Sequence, residues 1–278
     1  MQKLKAKEGI MNFNYNTLIV DLHPKTRSLS ITFNRPESEN QMNLEMLFEL
    51  ESLFGWLTAH LEVNAVVIKG QDNIFCTGFD EKELKIMSEE KLQKYLVRFQ
   101  RLISGMLALP QTIICDLGVK ASGMGLEFAL GADIRLAHKD AQINFNALDK
   151  GWVPCSGGIG LLGILVGHST ARSWTLSSQN VSSSQALDKG LISESYNEAT
   201  KARTDLLQSI AKQSPVARIQ TKRSLLEAIM PELTRVFEFE SIFSFASMKT
   251  NDWKKDPINN PEETFMSARE LSGHLSQQ

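Results

Sequence analysis

Two short stretches of the chain, "DNIFCTGFDEKEL" (72–84) and "CDLGVKASGMGLEFALG" (115–131), share a design that suits chemistry on a carbonyl group. In each, a run that reads as a buried strand enters a small-residue loop, and a helix begins directly after it. Glycine lets the backbone turn tightly and leaves nearby amide hydrogens unobstructed, while a helix start adds unpaired N–H donors and a dipole that favours negative charge. Two such ends facing one point would make an oxyanion hole, a pair of donors aimed at the charge that develops on a carbonyl oxygen. The plainer reading is that Gly78, Gly123 and Gly125 serve turns and close packing. Glu127, just past the second glycine cluster, is either an acid/base group for that chemistry or a carboxylate that caps free amides and complements the helix dipole.

The other reactive residue types are scattered. Cys76, Cys115 and Cys155 form no C-x-x-C pair and are expected as reduced thiols, most simply as small buried hydrophobes. The histidines, His23, His60, His138, His168 and His274, form neither HExxH nor a close pair, so no metal is expected. In "PCSGG", Cys155 reads mainly as a pocket-lining thiol; the minor alternative is a nucleophile whose pKa a nearby helix start would lower.

The elements that must position these groups follow from hydrophobic periodicity. "NTLIVDLH" and "RSLSITFN" read as a hairpin around "PKT". Beyond it, helical spacing in 43–61, the apolar run "NAVVIKG", helical spacing again in 89–109 and the run "QTIICDLGV" alternate on a cycle of roughly 40 to 50 residues. "ADIRLAH" and "AQINF" read as further strands. The pattern indicates an α/β fold with partly parallel sheets. After about residue 200 only helices are expected, the last of them carrying Phe237, Phe239, Phe243 and Phe245, more than one face of a lone helix would expose without a partner.

Composition narrows the class. With 278 residues, 42% of them hydrophobic, the chain can bury a large core and is no disulfide-stapled module. Thirty basic and 32 acidic residues give a net charge of -2, so no strong field points to nucleic acid or an anionic membrane. No apolar run reaches the roughly 20 residues that span a bilayer, and the first residues lack the apolar core of a secretory signal. A soluble, cytoplasmic protein is expected.

Five motifs in order resemble the enoyl-CoA hydratase/isomerase family, also called the crotonase superfamily, from about residue 14 to about 255. They are "ITFNRPESENQMN", "FCTGFDEKEL", "GMGLEFALGADIRLA", "GWVPCSGGIGLLGILVG" and "VSSSQALDKGLIS". The resemblance implies a crotonase-like spiral of β-β-α units over 14–200, holding an acyl-CoA site, and a helical region over 201–278 that builds a homotrimer or a dimer of trimers. It implies a coenzyme A thioester as substrate, with no permanently bound cofactor and no nucleic-acid or membrane partner. The oxyanion donors would be the amides of Phe79 and Met124, and Glu127 would be the acid/base. Gly78, Gly123, Gly125, Ala147, Trp152 and Cys155 would border the substrate. Two departures stand out. Met124 replaces a more usual glycine, and Ala147 occupies the position where hydratases of this family carry a second glutamate; Asp149, two residues on, reads as a solvated loop aspartate. Plain hydration of an enoyl-CoA is therefore disfavoured. Isomerisation, decarboxylation and hydrolysis remain, with a catalytically silent acyl-CoA-binding or assembly protein as the alternative.

Overall fold

A computed structural model of the protein describes residues 13–267 together with 269 and 270. His274 and the first twelve residues, weighed above, lie outside the described residues. The described chain opens with an antiparallel hairpin, β1 (Leu18–His23) and β2 (Ser28–Phe33), in register from Leu18↔Phe33 to His23↔Ser28. Helix α1 (Leu44–Ala59) follows; Asn43 caps it by accepting from the Met46 amide, and Met46, Leu47, Leu50, Leu53, Phe54 and Leu57 recur at helical spacing to form its buried face.

From here successive turns of the chain lay one strand in a large sheet and the next in a small one. The first turn is β3 (Ala65–Gly70) and β4 (Ile74–Cys76), then α2 (Glu81–Lys85) and α3 (Glu89–Ala108). The second is β5 (Thr112–Asp116) and β6 (Lys120–Ser122), then α4 (Gly123–Leu130). The third is β7 (Ile134–His138) and β8 (Gln142–Asn144), then α5 (Gly158–Val166) and α6 (His168–Leu176). The last runs β9 (Asn180–Ser182), α7 (Ser183–Asp188) and β10 (Glu194–Tyr196). The large sheet has the order β1-β2-β3-β5-β7-β10 and is parallel from β2 onward; the small sheet has the order β4-β6-β8-β9, with only β9 antiparallel. Each parallel join needs a crossover, and the helices supply it. This is the expected spiral.

Three α-helices follow, α8 (Ala199–Ala211), α9 (Pro215–Glu227) and α10 (Met230–Met248), and then a short 3-10 turn over Asp252–Lys254 that buries Trp253. Helix α8 covers the outer face of the large sheet, burying Ala202 and Ile210 on Ala65, Val67, Ile114 and Leu136. Helix α10 splits its phenylalanines: Phe237 is buried, whereas Phe239 and Phe243 stack on each other at 6.1 Å and are half exposed. Among the described residues no helix is long and apolar enough to cross a membrane.

Two polar devices aim the central elements. Every residue of α4 is buried, and the buried guanidinium of Arg135 meets its C-terminal end, with long contacts to Ala129 O at 3.5 Å and Leu130 O at 3.4 Å and shorter bonds to Ala132 O just past the helix at 2.7 Å and to Leu191 O at 2.6 Å. Burial lowers the pKa of Arg135, while the carbonyls of a helix end favour its charge. The N-terminus of the helix has no side-chain cap. In the "NRPESEN" turn, Asn40 is fully buried with φ 56°; it accepts from the Arg35 amide at 3.0 Å and donates to Gln71 O at 3.1 Å and Ile74 O at 2.8 Å. Arg35 reaches on to Asp80 at 2.7 Å. The turn is thereby pinned to both ends of the β4 segment. Asn40→Ala strands two carbonyls and one amide, and urea denaturation should show a loss of about 2 to 4 kcal/mol.

Candidate active site

Because β4 and β6 are neighbours in the small sheet, the loops that leave them sit side by side. Gly78 (φ 120°) and Gly123 (φ 52°) both hold backbone angles that L side chains disfavour. A β-carbon on Gly78 would stand 3.7 Å from the Met124 nitrogen, and one on Gly123 would stand 4.0 Å from the Gly78 Cα. Phe79 lies opposite Met42 in a parallel bridge: Met42 donates to Gly78 O at 2.8 Å and Asp80 donates to Met42 O at 2.9 Å. That pairing turns the Phe79 N–H away from Met42. The Met124 N–H is one of the orphan donors of the α4 start. Among the described residues neither amide donates to a protein acceptor, and both residues line one cavity with Gly78, Gly123, Ala147 and Trp152. Two free donors on adjacent loops have the design of an oxyanion hole.

Glu127 sits one turn further along α4 and is fully enclosed. Its Oε2 accepts from Ser156 Oγ at 2.6 Å and from the Cys155 and Ser156 amides at 3.3 Å each; its Oε1 has no partner among the described residues. The carboxyl therefore caps the approach to α5 rather than its own helix. Only glycine fits at 158, since a β-carbon there would come within 2.6 Å of the carboxyl. Burial, and secondarily the charge of Glu240, push the Glu127 pKa up to about 8 against the pull of its Ser156 and Cys155 donors. At neutral pH it is mostly protonated.

The family model for enoyl-CoA hydratase/isomerase matches residues 26–264. The chain belongs to the enoyl-CoA hydratase/isomerase family. It is 26% identical over 246 residues to a short-chain-enoyl-CoA hydratase of Clostridium acetobutylicum, covering 87% of this chain and 92% of that one. It is 23% identical over 255 residues to a peroxisomal Delta(3,5)-Delta(2,4)-dienoyl-CoA isomerase of Arabidopsis thaliana, covering 86% and 92%. In fold it is similar to an enoyl-CoA hydratase/isomerase from Mycobacterium paratuberculosis, with TM-score 0.81 and 21% identity over 87% of this chain and 97% of that one. This is a family of crotonase-fold enzymes of acyl-CoA thioesters.

Within this family member, the departures read from the sequence have visible consequences. Ala147 lines the cavity at the two amides and a second, smaller one that reaches Glu127 and Gly158; Asp149 is exposed, and Glu81, the carboxyl bordering the amide cavity among the described residues, is partly exposed and held by Lys150. The two cavities measure about 20 and 10 Å³, room for a water molecule and not for an acyl chain. Met124, Phe79 and Trp152 fill the space. Phe79 meets Tyr95 and Phe99 edge-on at 5.0 Å each and Trp152 at 6.2 Å. Lys150 pairs with Glu81 at the rim. Grooves of about 910 and 740 Å³ lie elsewhere, one beside α8 and one beneath α9, away from both amides.

Two expected pocket residues stand behind the site. Gly125 is spent on packing, since a β-carbon there would strike Cys76 at 2.5 to 2.7 Å. The Cys155 thiol borders neither cavity and serves Glu127 through its amide. Its pKa moves opposite to what the nucleophile alternative needs: burial, with the charges of Glu127 and Glu240, raises it well above the usual thiol value. A thiolate nucleophile is not what this environment makes. Three residues escaped the sequence reading. Ser156 makes the shortest bond to Glu127; Asn146 presents a buried, unpartnered Oδ1 beside Gly123; Glu240 binds the start of α5. Only Ser156 was within reach, as a hydroxyl inside a recognised motif.

The raised pKa has a stability signature. Between 4.5, the ordinary value, and about 8, the folded chain holds a proton that the unfolded chain releases, so Glu127 makes stability fall as pH rises through that window. Glu127→Gln removes the effect. Its melting temperature should match wild type near pH 4 and exceed it by several degrees at pH 8; an equal difference at both pH values would mean that the carboxyl titrates normally.

Proposed function

We propose that this enzyme binds a short acyl-CoA thioester with the carbonyl oxygen between the Phe79 and Met124 amides, the acyl group entering as the side chains that fill the cavity move aside, and moves one proton with Glu127 as its acid/base. The observation that carries this reading is a single buried carboxyl facing Ala147 beside two free amides. Loss of a proton next to a thioester carbonyl gives an enolate, whose charge gathers on the oxygen; preorganised donors stabilise such charge by roughly 3 to 4 kcal/mol each. A carboxyl that removes a proton from one carbon and returns it to another completes an isomerisation of an enoyl thioester. Hydration needs a second carboxyl to handle the water, and the alanine cannot supply one. Coenzyme A enters as part of the substrate.

The protonated resting state of Glu127 favours a second reading, decarboxylation of a 2-carboxyacyl thioester. There the C–C bond breaks, its electron pair becomes the enolate, carbon dioxide leaves, and Glu127 gives its proton to the α-carbon. The pH profile separates the two. Isomerisation needs the ionised base first and rises through an apparent pKa near 8, whereas decarboxylation needs the acid and falls there.

The remaining parts of the proposal concern assembly and setting. Phe239, Ile242 and Phe243 on α10 are 50%, 58% and 58% exposed, an apolar face that supports association of the helical region over 201–278 into a homotrimer or dimer of trimers. Three buried free cysteines support a reducing, cytoplasmic setting.

Thermal-shift titration with free coenzyme A and acyl-CoA thioesters of increasing length tests binding; the shift should be larger for short thioesters than for free coenzyme A. Glu127→Gln should lower turnover at least tenfold with affinity nearly unchanged, and binding without turnover of any thioester in wild type would return the silent alternative. Met124→Gly should extend activity to longer acyl chains by opening the cavity beside the amides. If chain-length preference stays the same, Met124 does not set it.

A further inference from the structure

Two buried carboxyls share the approach to one helix. The amides of Cys155 and Ser156 donate to Glu127, and the next ones, Gly157 at 2.6 Å, Ile159 at 3.0 Å and Gly160 at 3.2 Å, donate to Glu240. Glu240 comes from α10, far along the chain, and is itself buried. Phe237, one turn earlier, closes against Gly157, where a β-carbon would lie 2.2 Å from its ring. Glu240 borders neither small cavity.

We propose that Glu240 is a positioning residue for Glu127: it fixes the start of α5 so that the Cys155 and Ser156 amides reach Glu127, and its negative charge keeps the proton on Glu127. The donors assign the charge. Glu240 takes three amide bonds at a helix start, where the dipole favours an anion, whereas Glu127 has one strong hydroxyl donor, two long amide contacts and an unpartnered oxygen. Both carboxyls are raised by burial, Glu240 to about 7 and Glu127 to about 8, the order that this difference in donors requires. The other titratable group facing Glu127 is the Cys155 thiol, which burial keeps neutral. Serine 156 faces it with a hydroxyl.

The role proposed for Glu240 rests on Glu127 as acid/base, yet its test needs no substrate. Infrared titration of the full chain follows the C=O stretch of a protonated carboxyl, and Glu127→Gln assigns the band. In wild type the band should persist to about pH 8. In Glu240→Gln, which keeps the shape and removes the charge, its midpoint should fall by about one unit or more, a tenfold or greater loss of proton affinity. Glu240→Asp keeps the charge and shortens the reach, so it should melt at a lower temperature yet hold the Glu127 proton to a higher pH than Glu240→Gln does. A Glu127 midpoint that is the same in wild type and Glu240→Gln overturns the proposal, as does an equal shift in the Asp and Gln variants, which a merely structural role predicts. A midpoint that moves while no thioester binds would leave the proton device standing and remove the acyl-CoA reading.

Discussion

A carboxyl group with one oxygen unpartnered and no exposure to solvent is expensive to build, and the centre of this fold is organised around holding one. Glu127 is carried on a helix buried on all sides, so its position is set by packing from every direction. The C-terminal carbonyls of the helix find Arg135, and the turn at Asn40 holds the neighbouring loop in register. Space for the carboxyl exists only because residue 158 has no side chain. The price of that burial is an acid that keeps its proton at neutral pH.

The spiral explains how residues far apart in sequence become one site. Each turn adds a strand to the large sheet and another to the small sheet, so equivalent loops of successive turns stack as neighbours. Phe79 and Met124 are equivalent in this sense: each follows a glycine at the end of a small-sheet strand. Repetition of a simple unit therefore places two amides together without any dedicated contact between them. The aromatic wall of Phe79, Tyr95, Phe99 and Trp152 then decides how little room is left around them.

Much of this was legible in the sequence because it depends on local pattern. The strand-glycine-helix stretches, the hairpin around Pro24 and the apolar spacing in α1 and α3 are short-range signals, and they mark elements found within a few residues of where they were expected. What was not legible depends on contacts across the chain. Glu240 lies in a helix that stands out in the sequence only for its phenylalanines, and nothing beside it marks it as the partner of the Gly157 amide. Cys155 shows the same divide: its burial as a small apolar residue is legible from its type, whereas the rise of its pKa beside two carboxyls comes from tertiary contacts and outweighs any nearby helix start. Asp149 was read correctly as a solvated residue, since the short turn at 148–150 points it outward.

The dependence of the α5 start on α10 also sets an order of events during synthesis. By the time β10 has left the ribosome, every strand of both sheets exists, and so do the two glycine loops with their free amides. The amides of Gly157, Ile159 and Gly160 at that moment have no acceptor, because theirs is carried on a helix not yet made. Chain order thus supplies the carbonyl-binding loops and Glu127 first, and the anion that ties down the α5 start only with α10.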